Sequence, residues 1–371
     1  MTGTIRFIKI ANYRSIDSLE LHNIKPFSVF AGPNGAGKTN FFEALDFVNC
    51  VIQFSAIHAI KKYGGFNNIR CLTRNPDDAS VFKFELVLEL KTETQQTEVL
   101  TYHLEIHQLD SAPRLKESLL KESPENGKQE WTSDNIFKDE ANQRAFLRSG
   151  QSFLSILFHN FSEIHLFNSL RLYQIEPKEA KLPIKNYDDS ELNYNGRNLA
   201  AVLNRLEKND EMRETILEWM ELMVPGLENV QSQSERLTGS SVLTFKEEGV
   251  KDVFPAHLIS DGTIYLLSIL VALLDRPSLG MTLIEEPERG LHPKAIMELV
   301  DAFRKQATDK HPIWVTTHNE ALVRHLKNHE LWLVDKKQGQ TTMKNVTITD
   351  KLASSLDQAW LTNALDGGLP W

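Results

Sequence analysis

Apolar residues that recur along the N-terminal part of the chain predict two strands and a helix. Residues 4–16, "TIRFIKIANYRSI", and residues 26–32, "PFSVFAG", are each predicted to form a strand. The apolar residues that follow recur at spacings of 4, 3 and 4, as on one face of a helix: Phe41, Leu45, Val48 and Ile52. The chain therefore opens with a strand, a second strand, a loop and a helix.

The middle of the chain predicts a β-hairpin, a polar segment and helices. Residues 81–90 predict a strand with a hairpin partner at 99–109, whereas residues 111–140 are polar and broken and predict a surface arm or loop. Residues 141–170 and 196–223 predict helices. We therefore expect a helical lobe in this region.

A regular series of strands and helices is predicted in the C-terminal part. Strand signals return at "SVLTFKEEG", and from Gly280 the segments "MTLIEEPE", "PIWVTTHN" and "ELWLVDKK" alternate with helical segments. Such an alternation predicts a largely parallel sheet with helices on its faces.

Composition narrows the class of protein. The chain has 371 residues, is 41% hydrophobic and 25% charged, and carries a formal charge of −9, so nucleic acid could be bound only through a local basic patch. Cys50 and Cys71 lie outside any zinc-binding spacing, which fits a reducing compartment. The apolar run 264–274 is about half of the roughly 20 residues that span a bilayer. We expect a cytoplasmic protein without membrane contact.

The stretch "GPNGAGKTN" predicts a phosphate-binding loop. Gly32, Gly37, Lys38 and Thr39 match GxxxxGK[ST] between a predicted strand and a predicted helix, which is the context that this motif requires. Glycines let successive backbone N–H groups turn toward phosphates, while the lysine neutralises phosphate charge and the threonine binds Mg²⁺. The predicted ligands are therefore ATP and Mg²⁺, held by residues of this loop: Asn34, Gly35, Ala36, Gly37, Lys38, Thr39 and Asn40.

Two adjacent carboxylates follow an apolar strand about 245 residues downstream in "TLIEEPERGLHP". Glu285 is predicted to face the metal and Glu286 to polarise the attacking water. Successive strand residues point to opposite faces, so both can act only where the strand ends, and Pro287 marks such an end. His318, at the end of the next strand, is predicted to contact the γ-phosphate or to orient the water.

Ser260, Asp261 and Gly262 begin a densely apolar helix. A serine hydroxyl and backbone N–H groups at a helix N-terminus can bind an anion, and the stretch looks like the signature of ABC ATPases. In that architecture the signature completes the site of a second subunit, so a homodimer is predicted.

These pieces together resemble the SMC/RecF-like branch of ABC ATPases, and more closely the stand-alone ATPase group that is related to the OLD family and associated with prokaryotic antiviral defence. The likeness lies in these stretches: "NYRSI", "GPNGAGKTN", "GRNLAAVL", "LISDGT", "IEEPERGLHP", "VTTHN" and "LDGGLPW". The resemblance implies that Asn12 and Arg14 lie near the nucleotide, that residues 290–293 cross a dimer interface and that His318 is the switch histidine.

The chain departs from the family pattern at three places. Glu285 stands where most ABC ATPases have aspartate, and Ser-Asp-Gly-Thr replaces Ser-Gly-Gly-Gln, which implies that the Asp261 carboxylate lies near the partner's γ-phosphate and slows turnover. No residue is assigned to the glutamine loop. The 53 residues after His318 lack the acidic pattern of a TOPRIM nuclease, so an effector is expected on a separate chain.

The expected fold is an α/β, P-loop, ABC-type ATPase head with a mainly parallel sheet, an antiparallel β subdomain and a helical lobe. The expected segments are an N-terminal ATPase lobe (1–110), a helical lobe with a polar arm (111–240) and a C-terminal ATPase lobe (241–371). The expected function is a slow, dimeric ATPase that switches or scaffolds a separate effector, a nuclease or toxin, in antiphage defence.

Other functions stay open. A RecF-like ATPase that clamps duplex DNA could use a basic stretch made of Lys178, Lys181, Lys185 and Arg197. A transporter subunit is disfavoured by the signature and by the helical middle, and a small-molecule kinase by the signature and the histidine.

Overall fold

A computed structural model gives the structure of most of the chain. It describes residues 2–74, 79–91, 96–109, 113–133, 142–143, 146, 149–157, 169–185, 189–235, 239–277, 279–346 and 355–369. The strands are β1 Thr2–Tyr13, β2 Ile16–His22, β3 Phe27–Ala31, β4 Val81–Lys91, β5 Thr97–His107, β6 Arg114–Ser123, β7 Gly127–Thr132, β8 Leu170–Tyr173, β9 Ile184–Lys185, β10 Leu227–Glu235, β11 Ser240–Glu247, β12 Phe254–Pro255, β13 Met281–Glu285, β14 Ile313–Thr317, β15 Leu331–Lys337 and β16 Gln340–Asn345. Helices span Lys38–Gln53, Ala56–Lys62, Phe66–Ile69, Leu154–Leu157, Pro177–Ala180, Leu199–Leu206, Asp210–Met223, Asp261–Leu274, Pro293–Gln306, Glu320–Val323 and Leu356–Leu361, with 3₁₀ turns at Ala256–Leu258 and Asn328–Glu330.

The central sheet has the strand order β16-β15-β3-β14-β13-β8. All neighbours are parallel except the edge strand β16, which pairs with β15 in antiparallel register. The predicted α/β class and largely parallel sheet are confirmed. Strands β3, β14 and β13 are adjacent, so their carboxyl ends bring the phosphate loop, the histidine and the carboxylates to one edge of the sheet.

Both faces of this sheet are buried, as expected for parallel strands. Along β3 and β13, alternate residues enter two different cores: Val29 and Ile284 pack on one side, and Phe30 and Leu283 on the other. The first core contains the apolar helix Asp261–Leu274, and the second contains the helix Lys38–Gln53. The loops at the ends of these strands therefore emerge from a scaffold that is packed on both sides.

The second sheet is antiparallel, with the order β2-β1-β4-β5-β6-β7. The predicted hairpin of β4 and β5 is confirmed. The surface arm predicted for 111–140 is wrong where the structure describes it, because β6 and β7 extend this sheet. Leu115, Glu117 and Leu119 share the buried face of β6, and the inward carboxyl of Glu117 interrupts the apolar alternation that would have predicted a strand.

The single strand predicted for 4–16 is also corrected. It breaks at Arg14 and Ser15, between β1 and β2, where Arg14 has φ 47°. Asn12, two residues before, has φ 63°. Left-handed backbone at these two residues bends the chain next to the phosphate loop.

The middle of the chain combines helices with a third sheet. The predicted helix over 196–223 is confirmed as Leu199–Leu206 and Asp210–Met223, and the strand predicted at 241–249 is β11, which pairs with β9, β10 and β12. Most of 141–170, predicted to be helical, lies outside the described residues. Whether residues 1–110, 111–240 and 241–371 form separate units stays a prediction. Among the helices of the described part, none is both long and apolar enough to cross a bilayer.

Candidate functional site

The loop 32–37 connects β3 to the helix Lys38–Gln53, as predicted. Gly35 and Gly37 have φ values of 79° and 105°, a region that other residues rarely adopt. A Cβ atom at Gly37 would lie 1.9 Å from Oγ1 of Thr341, and one at Gly32 would lie 2.1 Å from the carbonyl oxygen of Val334. These two glycines are therefore required by the packing of the loop against β15 and β16. At Gly35 an added Cβ meets no atom within 4 Å, so the loop is open on that side.

Two side chains that received no role from the sequence, Ser15 of "NYRSI" and Thr341, support this loop through hydrogen bonds. The Thr341 hydroxyl donates to the carbonyl oxygen of Ala36 at 2.9 Å and accepts from the Ser15 hydroxyl at 2.7 Å. Ser15 Oγ in turn accepts from the Asn40 amide at 2.6 Å. Because Ser15 and Thr341 lie 326 residues apart in sequence, only the folded chain shows that they act together.

Lys38 Nζ donates to the carbonyl oxygens of Gly32 and Pro33, at 2.7 and 2.9 Å. The side chain is thus folded back over its own loop. Burial lowers the pKa of Lys38, while the nearby carboxylates of Glu286, Glu285 and Glu288 oppose that shift. Among the described residues, the hydrogen-bond partners of the ammonium are carbonyl oxygens, and phosphate oxygens would be stronger ones.

Thr39 and Glu285 meet at the start of the same helix. The Thr39 hydroxyl donates to Oε2 of Glu285 at 3.2 Å, and Oε1 of Glu285 is buried without a hydrogen-bond partner in the described structure. Burial raises the pKa of Glu285, and hydrogen bonds from Gln174 and Thr39 oppose the shift. A hydroxyl, an orphaned carboxylate oxygen and an amide are a donor set that suits a hard cation such as Mg²⁺. The residues present therefore fit the predicted metal.

Gln174 is a site residue that the sequence analysis missed. It directly follows β8, which pairs in parallel with β13, the strand that ends at Glu285. It lies at the end of an edge strand of the sheet, within hydrogen-bonding reach of the Glu285 carboxylate. The short strand "LRLY" gave too little apolar signal to place this glutamine from sequence.

Glu286 contacts His318, whereas the sequence predicted only that each would act at the attacking water or the γ-phosphate. His318 Nδ1 lies 2.8 Å from Glu286 Oε1. Glu286 has φ 48°, and its N–H donates to the carbonyl oxygen of Thr316 at 3.0 Å. The left-handed backbone turns Glu286 away from the strand direction, so that both adjacent carboxylates reach the same edge of the sheet. The predicted bend before Pro287 is present.

Tyr265, another missed residue, holds this turn from below. Its hydroxyl lies 2.8 Å from the carbonyl oxygen of Glu285 and 3.0 Å from that of Glu286. Tyr265 belongs to the helix Asp261–Leu274, which we call the signature helix. The turn that carries the two carboxylates is therefore attached to the helix that carries the predicted signature.

Glu288 is a third, buried carboxyl in this region. Oε1 accepts from the Thr317 hydroxyl at 2.5 Å, and Oε2 is buried without a hydrogen-bond partner among the described residues. Burial raises the pKa of Glu288 to about 7, and the hydrogen bond from Thr317 opposes this shift. The sequence did not single out Glu288 because an acidic residue after a strand end is usually exposed.

The signature begins its helix as predicted. Ser260 caps the helix, accepting from the Thr263 N–H at 3.1 Å. Gly262 packs directly on the 290–293 loop, because a Cβ atom at Gly262 would lie 2.4 Å from the carbonyl oxygen of Gly290. The two segments expected to cross a dimer interface thus lie side by side in one chain.

The Asp261 carboxylate, which was expected to be an unpaired negative charge, is paired with a lysine. Oδ1 accepts from Lys181 Nζ at 2.5 Å, and this hydrogen bond lowers the pKa of Asp261. Lys181 was predicted as part of a basic stretch for DNA. Arg197, from the same stretch, pairs with Glu179 at 3.4 Å. Slow turnover was expected from a bare Asp261 charge near a partner's phosphate. In the structure, Lys181 offsets that charge.

Arg14 lies near the predicted nucleotide site, whereas the Asn12 side chain bonds to the backbone of other segments. Arg14 forms an ion pair with Glu43 and a hydrogen bond to Asn40 on the phosphate-loop helix, so it lies beside the predicted nucleotide site. Asn12 is buried, and its amide bonds to the backbone of Cys71, Ala79 and Val81. Asn12 therefore fastens β1 to neighbouring segments, and its side chain has no free atom for a nucleotide.

A comparison with family models decides the family. Residues 27–324 match the model described as "AAA domain, putative AbiEii toxin, Type IV TA system". The chain belongs to this AAA-domain family. The match runs from β3 through the phosphate loop, the signature helix and the carboxylates to the helix after His318. No curated protein matches the sequence.

The fold of this AAA-domain protein is similar to solved structures of ABC-type ATPase heads. The structure titled "Crystal structure of the SmcHead bound to the C-winged helix domain of ScpA" is 12% identical, covers 96% of this chain and 99% of its own, and has a TM-score of 0.53. SMC heads from Thermotoga maritima (13% identical, covering 93% and 100%) and Pyrococcus furiosus (13%, covering 98% and 99%) have TM-scores of 0.45 and 0.48. The fold is that of a P-loop, ABC-type head.

Proposed function

We propose that the protein binds and hydrolyses ATP with Mg²⁺, as a homodimer whose two sites are each completed by the partner's signature. The observation that carries this proposal is the convergence of three sequence motifs on one edge of the parallel sheet: the phosphate loop, Glu285 with Glu286, and His318. Thr39 contacts Glu285 and Glu286 contacts His318, although these residues are far apart in sequence.

Each residue has a role that follows from its contacts. Lys38 leaves the carbonyl oxygens of Gly32 and Pro33 to neutralise the β- and γ-phosphates. Thr39, Glu285 and Gln174 would hold the metal ion, which would neutralise phosphate charge when bound. Glu286 accepts a proton from the attacking water. His318 orients Glu286 through Nδ1, which must carry the proton because a carboxylate only accepts hydrogen bonds.

The orientation of the signature supports a dimer. In the described structure the signature contacts Lys181, Gly290 and its own helix, whereas the phosphate loop contacts Ser15, Thr341 and Glu285. Leu258, two residues before Ser260, is exposed, and so is Leu72, whose N–H bonds to the Arg14 carbonyl oxygen. The proposed interface would cover these two exposed apolar side chains.

A mixing experiment tests the shared site. Lys38→Ala removes phosphate binding from one chain, and Ser260→Arg blocks the signature of the other. Neither variant alone should hydrolyse ATP, but a mixture contains one intact composite site and should regain activity. If the mixture stays inactive while both variants remain folded, the shared-site proposal is wrong.

The role of the ATPase, we propose, is to switch a separate effector in antiphage defence. One observation favours a switch: the family description names a toxin–antitoxin system. The proposed dimer, joined by ATP and released after hydrolysis, would give the switch its two states. Glu286→Gln should trap the ATP-bound dimer, and Lys38→Ala should prevent it. Binding of the product of a neighbouring gene to one of these variants and not to the other supports the switch, and equal binding to both contradicts it.

A DNA-clamping ATPase is the second candidate, favoured by the SMC-head fold. Two members of the basic stretch, Lys181 and Arg197, are paired with Asp261 and Glu179, so Lys178 and Lys185 are the ones left to test. Salt-dependent binding of a DNA duplex that is lost on Lys178→Glu with Lys185→Glu would favour this function over the defence switch.

A further inference from the structure

The ammonium of Lys181 is held at the N-terminus of the signature helix by two hydrogen bonds. Nζ donates to Asp261 Oδ1 at 2.5 Å and to the carbonyl oxygen of Ile259 at 2.7 Å. Lys181 is mostly buried, with a side chain that is 16% exposed, whereas the Asp261 side chain is 59% exposed. The lysine is therefore fixed in place, and the carboxylate that it neutralises is the part that faces outward.

Contacts with Arg197 hold the segment that carries Lys181 in place. Lys181 ends the short helix Pro177–Ala180, and the Arg197 guanidinium pairs with Glu179 and donates to the carbonyl oxygens of Leu182 and Pro183, at 3.3 and 3.1 Å. Arg197 belongs to "GRNLAAVL", a stretch noted in the sequence for which no role was apparent. Gly196 in this stretch has φ 77°, and a Cβ atom there would lie 3.4 Å from Ala180. This stretch thus positions the turn that presents Lys181.

Asp261 raises an electrostatic problem for the proposed function. An anionic side chain at the helix N-terminus takes the place where a phosphate would be attracted, and two anions brought together repel each other. We infer that Lys181 is a positioning residue that neutralises Asp261, so that the signature can accept the terminal phosphate of ATP bound to a second copy of this chain. This inference rests on the proposed composite site.

A charge-rescue experiment tests the inference. Lys181→Met leaves the Asp261 carboxylate bare, so kcat and the ATP-dependent dimerisation of the Glu286→Gln background should each fall by at least about tenfold. The affinity of the monomer for a fluorescent ATP analogue should stay unchanged, because the phosphate loop is untouched. Lys181→Arg should remain near the wild-type values. Lys251→Met, at an exposed lysine ahead of the signature, is the matched control and should have no effect.

The decisive variant is Lys181→Met combined with Asp261→Asn. If Lys181 acts by neutralising Asp261, removal of the carboxylate should restore dimerisation and kcat to within about threefold of the wild-type values. If Lys181 is needed only to hold Ile259, or binds the phosphate itself, the double variant will be as defective as Lys181→Met and the inference is wrong. Wild-type activity of Lys181→Met would also overturn it.

The mixing experiment separates this failure from that of the proposed function. If Lys38→Ala and Ser260→Arg chains restore each other while Lys181→Met behaves as the wild type, the composite site stands and only the inference fails. If the mixture stays inactive, the composite site fails, and the inference fails with it.

Discussion

The hydroxyl of Tyr265, on the signature helix, lies 3.0 Å from the carbonyl oxygen of Glu286. The same hydroxyl is 2.8 Å from the carbonyl oxygen of Glu285. One buried phenol therefore connects the helix proposed to contact a partner's ATP with the turn that carries the chain's own carboxylates. Movement of the signature helix would be transmitted directly to Glu286.

Tyr265→Phe removes this connection without changing the apolar packing of the ring. We expect kcat to fall about three- to tenfold, because one hydrogen bond contributes about 1 kcal/mol and Glu286 would lose its fixed orientation. ATP affinity should not change. Steady-state ATPase assays and nucleotide titrations measure both quantities.

Tyr194→Phe is a suitable control for this prediction, because Tyr194 is exposed and distant from the carboxylate turn in sequence. Unchanged kcat in Tyr265→Phe would show that the turn is held well enough by the Glu286 N–H bond to Thr316.

Glu285→Gln should separate stability from activity. Burial raises the pKa of Glu285, so its ionised form costs free energy that grows as the pH rises through that pKa. The neutral amide avoids the cost, so the variant should be more stable than the wild type at pH 8 without nucleotide. Thermal unfolding measures this difference.

The same variant should need more Mg²⁺. Because the amide weakens a charged metal ligand, the Mg²⁺ concentration for half-maximal ATPase activity should increase by about tenfold. A variant that is less stable than the wild type and unchanged in its Mg²⁺ requirement would contradict the placement of the metal at Glu285.

The sequence predicted those parts of the site in which the local backbone conformation requires particular residues at a fixed spacing. The loop from Gly32 to Thr39 and the strand end at Glu285 and Glu286 are such cases, since each requires a certain backbone shape. His318 was predicted from its position after a strand. Its contact with Glu286 follows because β13 and β14 are parallel neighbours.

The residues that the sequence did not reveal act through long-range contacts. Ser15, in the turn between β1 and β2, and Thr341, on β16, both support the phosphate loop. Lys181, which the sequence placed only in a basic stretch, reaches Asp261 across 80 residues. In β6 the pattern itself was misleading, because the inward Glu117 is stabilised by Tyr102 and Ser152, which a periodicity argument does not include. Such partners can be recognised only once the chain has folded.

Glu288 should make the stability of the protein depend on pH. Burial raises its pKa from 4.5 to about 7, so the folded state binds a proton that the unfolded state releases. The stabilisation is complete below about pH 4.5 and is lost as the pH rises through about 7, for a total of at most about 3 kcal/mol. Glu288→Gln should remove this decline, as measured by urea unfolding at several pH values.

The slope of stability against pH must be compared between Glu288→Gln and the wild type. Burial also raises the pKa values of Glu117 and Glu207 to about 7, so these residues contribute declines of the same sign. Glu288→Gln should therefore reduce the slope and not abolish it. Exposed Glu211 offers a control, since Glu211→Gln should leave the slope unchanged. An identical slope in Glu288→Gln and the wild type would mean that Glu288 is ionised at neutral pH.

His318 and Glu286 should behave as one unit in hydrolysis. His318→Ala removes the donor at 2.8 Å from Glu286 Oε1, and we expect kcat to fall about 10- to 100-fold with ATP affinity retained. His58→Ala, at an exposed histidine on the helix Ala56–Lys62, should have no effect. Single-turnover assays separate the chemical step from nucleotide release.

The double variant decides whether the two residues share a role. If His318 acts by orienting Glu286, then His318→Ala in the Glu286→Gln background should cost nothing further, because the group that it orients is already inactive. If the two losses multiply, His318 must act on its own, by a contact with the γ-phosphate. Only the first result agrees with the geometry, in which Nδ1 of His318 lies 2.8 Å from Oε1 of Glu286 and the left-handed backbone of Glu286 turns its carboxylate toward the histidine.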